Sequence, residues 1–202
     1  MERKNVELNE AKYREYMAIR EVIKDTIGNE DYTNVCLKNN TLNTMAGYTD
    51  ASSESNYNPY VKDFIDKLTY DEHNRKVEYA KTQGNKDELK RLSDIVMDMA
   101  GYNGQKNKRR INGYAKSFVD RKFVSRELSK LYKAMEQNDE QGVALAYKRI
   151  YNMSSYSSTQ PFNVVNDCAQ GFVDLRLDEF IERGIHIPEV KVKEQNIEYY
   201  AI

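Results

Sequence analysis

The sequence predicts a mainly α-helical protein, a helical bundle of about six helices with one irregular excursion and an extended C-terminal arm. Three observations carry that expectation. Apolar residues recur at three- and four-residue spacing through most of the chain, glycines stand where those patterns stop, and two-residue alternation is confined to residues 185–202. The clearest helices fall between residues 115 and 183. Phe118, Val124, Leu128, Leu131, Tyr132 and Met135 trace one side of a helix ending near Gln137. A final helix from Pro161 to Arg183 carries Phe162, Val165, Cys168, Ala169, Phe172, Val173, Leu175, Leu177 and Phe180 over more than half of its circumference.

Taken in order, the first helix runs from Glu7 to Ile27, with Tyr13, Tyr16, Met17, Arg20 and Ile23 on one face and Gly28-Asn29 as the stop. Residues 30–58 fade into Asn, Thr, Ser and Gly and read as an irregular, flexible excursion, in which the short apolar piece (Val35, Leu37, Leu42, Met45) is compatible with a brief helix. Asn58-Pro59 is a good helix start, because proline at the first helical position loses no hydrogen bond. Val61, Phe64, Ile65 and Leu68 follow at helical spacing towards Gly84. The next helix, Lys86 to Ala100, presents Leu89, Leu92, Val96 and Met99 and stops at Gly101.

Residues 102–112 are a polar link, an intradomain loop or a hinge. Asp139 can cap a short helix containing Val143, Ala144, Tyr147, Ile150 and Tyr151, and NMSSYSSTQ then reads as a loop. Met45-Ala-Gly-Tyr48 returns as Met99-Ala-Gly-Tyr102, but the residues around it do not visibly align, and one tetrapeptide does not establish a repeat. The resulting division is a helical domain over 1–184 and an arm over 185–202. In the arm Ile185 and Ile187 alternate, and Val190 and Val192 alternate in the opposite register beyond Pro188. Such a strand either pairs with a short strand near Val35 or adds itself to another subunit. The ending Tyr199-Tyr200-Ala201-Ile202 is apolar enough to dock.

Composition excludes more than it selects. The 202 residues hold 31 basic and 32 acidic side chains, so no global field draws the chain to nucleic acid or membrane. No run approaches the roughly 20 apolar residues of a membrane span, and the charged N-terminus has no apolar signal region, which points to the cytoplasm of the producing cell. Cys36 and Cys168 lie far apart in no metal-type spacing and read as reduced thiols. His73 sits in the polar stretch DEHNRK and is expected on the surface; His186 lies in the arm. There is no Walker A sequence, GxGxxG, HExxH or GxSxG. No catalytic residue, cofactor or metal site is expected. The 16 tyrosines suit surfaces that become buried against partners, although an AT-rich genome would produce the same bias.

Charge patterning gives the best local signal. Lys106, Lys108, Arg109 and Arg110 form a basic loop suited to nucleic-acid phosphates. It leads into a helix where Lys122, Arg126, Lys130 and Lys133 make a stripe around Val119 and an exposed Phe123. That stripe reads as a nucleic-acid contact, as a subunit contact against the Asp174 and Asp178 face of a neighbour, or as solvated surface. Asp167, Asp174 and Asp178 share one narrow face of the final helix, read as solvated acidic surface.

An N-terminal helix ending AIREVIKDTIGNE, the later pair YAKSFVDRKFVSRELSKLYKAMEQ and QGVALAYKRIY, and the C-terminal arm together resemble, in layout, the head-to-tail adaptor proteins of short-tailed phages. That resemblance implies a ring-forming virion protein whose residues 185–202 contact the portal. The expected function is therefore non-enzymatic: a homo-oligomeric assembly protein that also binds a second protein. Lys122, Phe123, Arg126 and Lys130 are expected to contact partners, as are Ile185, Ile187, Val190, Val192, Tyr199 and Tyr200. The alternative is a nucleic-acid-binding or regulatory protein acting through residues 106–133.

Overall fold

The computed structural model describes residues 2–27, 32–104, 107–158 and 164–185, without the side chains of 2–8 and 26–27. The described residues form helices and connecting turns only: α1 (Glu2–Ile27), α2 (Tyr32–Lys38), α3 (Asn40–Met45), α4 (Pro59–Thr82), α5 (Lys86–Met99), a 3₁₀ turn (Lys108–Arg110), α6 (Gly113–Glu136), α7 (Glu140–Met153), α8 (Asp167–Asp174) and α9 (Leu177–Glu182). The mainly α-helical expectation holds. Val35 lies on α2, so the strand expected near it is a helix. The chain divides into two compact units, residues 1–99 with 107–114 and residues 100–106 with 115–202.

In the first unit, Ile23 of α1, Cys36 of α2, Leu42 and Met45 of α3, and Val61 and Ile65 of α4 form one core, with Tyr16 and Phe64 packed against it. Within the segment expected to be irregular, the apolar piece is therefore two short packed helices, and 46–58 is the loop. Asn39, which resembles loop in the sequence, breaks the helix only to restart it: its Oδ1 accepts from the Leu42 amide at 3.1 Å and caps α3. Cys36 and Leu42 on either side are fully buried. The polar loop beyond is also bonded, for example from the Ser53 amide to Asn56 Oδ1 at 2.7 Å. It delivers buried Asn58, whose Oδ1 accepts from the Tyr60 and Val61 amides at 3.0 and 3.3 Å and starts α4.

In the second unit, Val124 and Leu131 of α6, Ala146 and Ile150 of α7, Val173 of α8 and Phe180 of α9 share a core. Here the expected α6 face is out of phase. Phe118, Tyr132 and Met135 are exposed, whereas Ala115, Val119, Asp120, Glu127 and Ala134 are buried. Hydrophobicity alone misplaced the face because the true face contains two carboxylates and two alanines. The final helix also differs. It starts at Asp167 under the Asn166 cap and breaks at Leu175-Arg176, where Arg176 leaves helical geometry with φ −135°. Pro161 and Phe162 lie outside the described residues.

One arrangement recurs along the chain, twice within the first unit and once in the second. The amides of Asn58, Asn112 and Asn166 donate to the carbonyls of Met45, Met99 and Met153 at 2.8, 2.8 and 2.9 Å. Their side-chain Nδ2 groups donate to the carbonyls of Lys12, Asp66 and Asp120 at 2.9, 2.8 and 3.1 Å, each reaching back 46 residues. Both α4 and α6 have 24 residues, and both α5 and α7 have 14. Gly47 and Gly101 take the same left-handed turn, at φ 86° and 82°.

The Met-Ala-Gly-Tyr match is thus a fragment of a true period of 54 residues (Asn58 to Asn112, Asn112 to Asn166), which corrects the expectation that it marks no repeat. A period of this length, with one helical hairpin per repeat, belongs to tandem-repeat architecture. The sequence hides it because only the residues that tie the repeats together recur, while the helix surfaces diverge.

Candidate functional site

The recurring residues converge on a buried aspartate. In the first unit Asp66 accepts the Tyr48 hydroxyl, Lys62 Nζ at 2.5 Å and the Gly113 amide at 2.9 Å; Lys62 also donates to the Ile111 carbonyl at 2.8 Å. In the second unit Asp120 accepts Tyr102 Oη at 2.6 Å, Lys116 Nζ at 2.6 Å and the Asp167 amide at 2.8 Å. Burial, reinforced by the adjacent carboxylate, pushes the Tyr48 and Tyr102 hydroxyls far above the usual phenol range. Asp174, one period further on, accepts Tyr156 Oη at 2.9 Å and Gln170 Nε2 at 2.8 Å. These clusters tie the fold together. The acidic face expected from the sequence is accordingly broken up: Asp174 is committed to its cluster, Asp167 pairs with Lys116 at 2.6 Å, and Asp178 is exposed.

A different arrangement lies between α6 and α7. A groove of about 650 Å³ is lined by Phe123, Arg126, Glu127 and Lys130 of α6 and by Arg149, Asn152 and Met153 of α7. At its centre the Glu127 side chain, 5% exposed, is surrounded by Lys130 Nζ at 2.7 Å, Arg126 Nε at 3.3 Å and Arg149 Nη1 at 3.4 Å. Burial pushes the Glu127 carboxyl up, but the hydrogen bonds and charges of these cations outweigh it and hold the group below the usual carboxylate value. Three cations against one carboxylate leave the groove with a net charge of two positive. Phe123 packs edge-on against Tyr102, with ring centroids 5.2 Å apart, and forms an apolar wall rather than a freely exposed ring.

The structure thus brings together three predicted contact residues, Phe123, Arg126 and Lys130, and adds two that sequence reasoning missed, Glu127 and Arg149. Glu127 did carry a signal: it falls between Val124 and Leu131 at core spacing, where a carboxylate needs partners. Lys122 is exposed. Of the predicted basic loop, Arg109 pairs with Glu54 and lies over the Tyr57 ring, Arg110 pairs with Asp50, and Lys108 is exposed. Lys106 lies outside the described residues, as do Ile187, Val190, Val192, Tyr199 and Tyr200. Ile185 packs against the core of the second unit.

Elsewhere, His73 is buried in α4 rather than exposed, because it occupies the same helical phase as Glu127 one period later. Cys36 and Cys168 are free thiols. Among the described residues no group of three or more His, Cys, Asp and Glu side chains could hold a metal ion, and no helix is long and apolar enough to cross a membrane. Comparison of the chain with protein families, with curated proteins and with solved structures gives no match.

Proposed function

We propose that this chain is a non-enzymatic assembly protein, built of tandem helical repeats, that joins copies of itself and holds a second protein against its α6–α7 face. The observation that carries the reading is the 54-residue period. Repeated helical hairpins joined by conserved-geometry ties serve as extended supports whose outer residues are left to vary for binding. The α6–α7 groove fits such a role, because it combines an apolar wall with charges that the tie clusters do not use. Paired as they are with Glu54 and Asp50, Arg109 and Arg110 favour protein over nucleic acid as the partner. In the setting implied by the likeness to head-to-tail adaptor proteins, the chain is a ring subunit of a virion and residues 185–202 make the contact with its neighbour in the particle.

The mass in solution tests this reading. Light scattering across a concentration series is expected to give multiples of 23.6 kDa for the full chain, falling towards 23.6 kDa when Val190→Asp and Val192→Asp are combined. A mass of 23.6 kDa at every concentration for the unaltered chain overturns it.

A further inference from the structure

The tandem period supplies an internal control for the groove. One period earlier, the α4–α5 hairpin has the same helix lengths and the same Asp-centred tie, so it shows what the hairpin itself requires. Its counterparts of Phe123, Arg126, Glu127, Lys130, Arg149 and Asn152 are Thr69, Glu72, His73, Lys76, Ile95 and Asp98. Their net charge is one negative, with His73 neutral, against two positive in the groove. The α4–α5 hairpin thus folds with neither arginine. The buried polar position persists as His73 or Glu127, but only around Glu127 are two arginines and a lysine gathered.

We infer that the α6–α7 groove binds a carboxylate-bearing segment of a partner protein, one whose acidic side chains alternate with apolar ones. This rests on the proposed reading of that face as protein-binding and names what the face recognises. Arg126 gives its Nε and Arg149 its Nη1 to Glu127, one of the five donors each guanidinium carries. Arginine is suited to grip a second carboxylate in a forked, two-bond geometry. Side-chain exposures of 67% for Arg126 and 47% for Arg149 keep both heads within reach of a partner. Phe123 and Met153 supply an apolar surface for the intervening residues.

Glu127 is then an internal competitor: it holds the cations in place when the groove is empty and shares them when an external carboxylate arrives. A phosphodiester chain is a poorer match, because it would bring no apolar residues to Phe123 and Met153.

The test is fluorescence anisotropy of the full-length protein with a short labelled peptide of alternating Glu and Leu. The same peptide with Gln for Glu, and a labelled oligothymidylate, serve as comparisons. The acidic peptide is expected to bind best, and Arg126→Ala and Arg149→Ala each to weaken it about tenfold. Glu127→Gln is expected to strengthen it about fivefold, a gain that a purely structural Glu127 would not give.

Because Arg149 is half exposed and Lys130 stays on Glu127 at 2.7 Å, Arg149→Ala is expected to keep its circular-dichroism spectrum with only a small drop in melting temperature, so its loss of binding is read on folded protein. Equal binding of the Glu and Gln peptides, unaltered binding by the Arg149→Ala variant, or preference for oligothymidylate would each overturn the inference. None of these outcomes bears on the solution mass, which tests self-assembly separately.

Discussion

Replacing Asp120 by Asn is the sharpest probe of the tie that recurs along the chain. The side chain is 1% exposed, and its carboxylate accepts the Tyr102 hydroxyl, Lys116 Nζ and the Asp167 amide at 2.6, 2.6 and 2.8 Å. The amide keeps the shape but exchanges one accepting oxygen for a donating NH₂, which faces groups that are themselves donors. Hydrogen bonds to a charged group contribute about 1.5–3 kcal/mol each, and removing one partner of a buried pair costs about 3–5 kcal/mol. Lys116 retains Asp167 at 2.6 Å, which limits the loss, so about 3 kcal/mol is expected.

The assay is urea unfolding followed by far-ultraviolet circular dichroism, with the denaturant dependence unchanged so that the midpoint shift reports stability. Lys122→Gln, on an exposed position, serves as the control and is expected to stay within about 0.5 kcal/mol. Tyr102→Phe is expected to cost less in the Asp120→Asn background than alone, because the two share one bond. A loss below about 1 kcal/mol for Asp120→Asn refutes the claim that this aspartate ties the second unit together.

Two further outcomes follow from backbone and titration. Gly47→Ala is expected to destabilise by about 1–2 kcal/mol, since φ is +86° and the new Cβ would lie 3.0 Å from Arg109 Cβ, whereas Gly171→Ala, mid-helix with open space around it, is expected to stabilise by about 0.5–1 kcal/mol; thermal melts of the two variants should move in opposite directions. Burial, with the charge of Lys76, lowers the His73 pKa below 6.5, so the unfolded chain takes up the proton first. The contribution of neutral His73 is therefore fully present above pH 6.5 and is lost as pH falls through the folded value. His73→Ile, the residue found one period earlier at Ile19, is expected to flatten the stability profile over that acidic limb in urea titrations at a series of pH values.

Helix existence was legible wherever apolar residues dominated the buried face, as in α4, α5 and α7. It was misjudged where polar atoms did the structural work. Asn39 looks like loop because its amide competes with the backbone, yet here that competition caps α3. Asp120 and Glu127 look like solvent-facing residues, yet they point inward with their cations, so the α6 stripe was rotated and Val119 was assigned to the surface. Pro161 outweighed Asn166-Asp167 as a start signal because the decisive fact, a bond from Asn166 to the carbonyl of a residue far back in the chain, has no local trace. The groove was half legible for the same reason: Arg126 and Lys130 share a face by spacing, whereas Arg149 reaches them only through the packing of α7.

The asparagines that open α4, α6 and α8 set a rule for how such a gene can change length. Each of them looks backward to a carbonyl 46 residues away and stands directly before a helix, which Asn58 and Asn166 also cap. Excising residues 59–112 would join Asn58 directly to Gly113, an asparagine to a helix start, and duplicating them would add another complete joint of the same kind. A deletion that takes one of these asparagines but leaves its helix would strand the carbonyl it reaches back to. Copy number is thus a dimension along which this architecture can change while every joint stays whole.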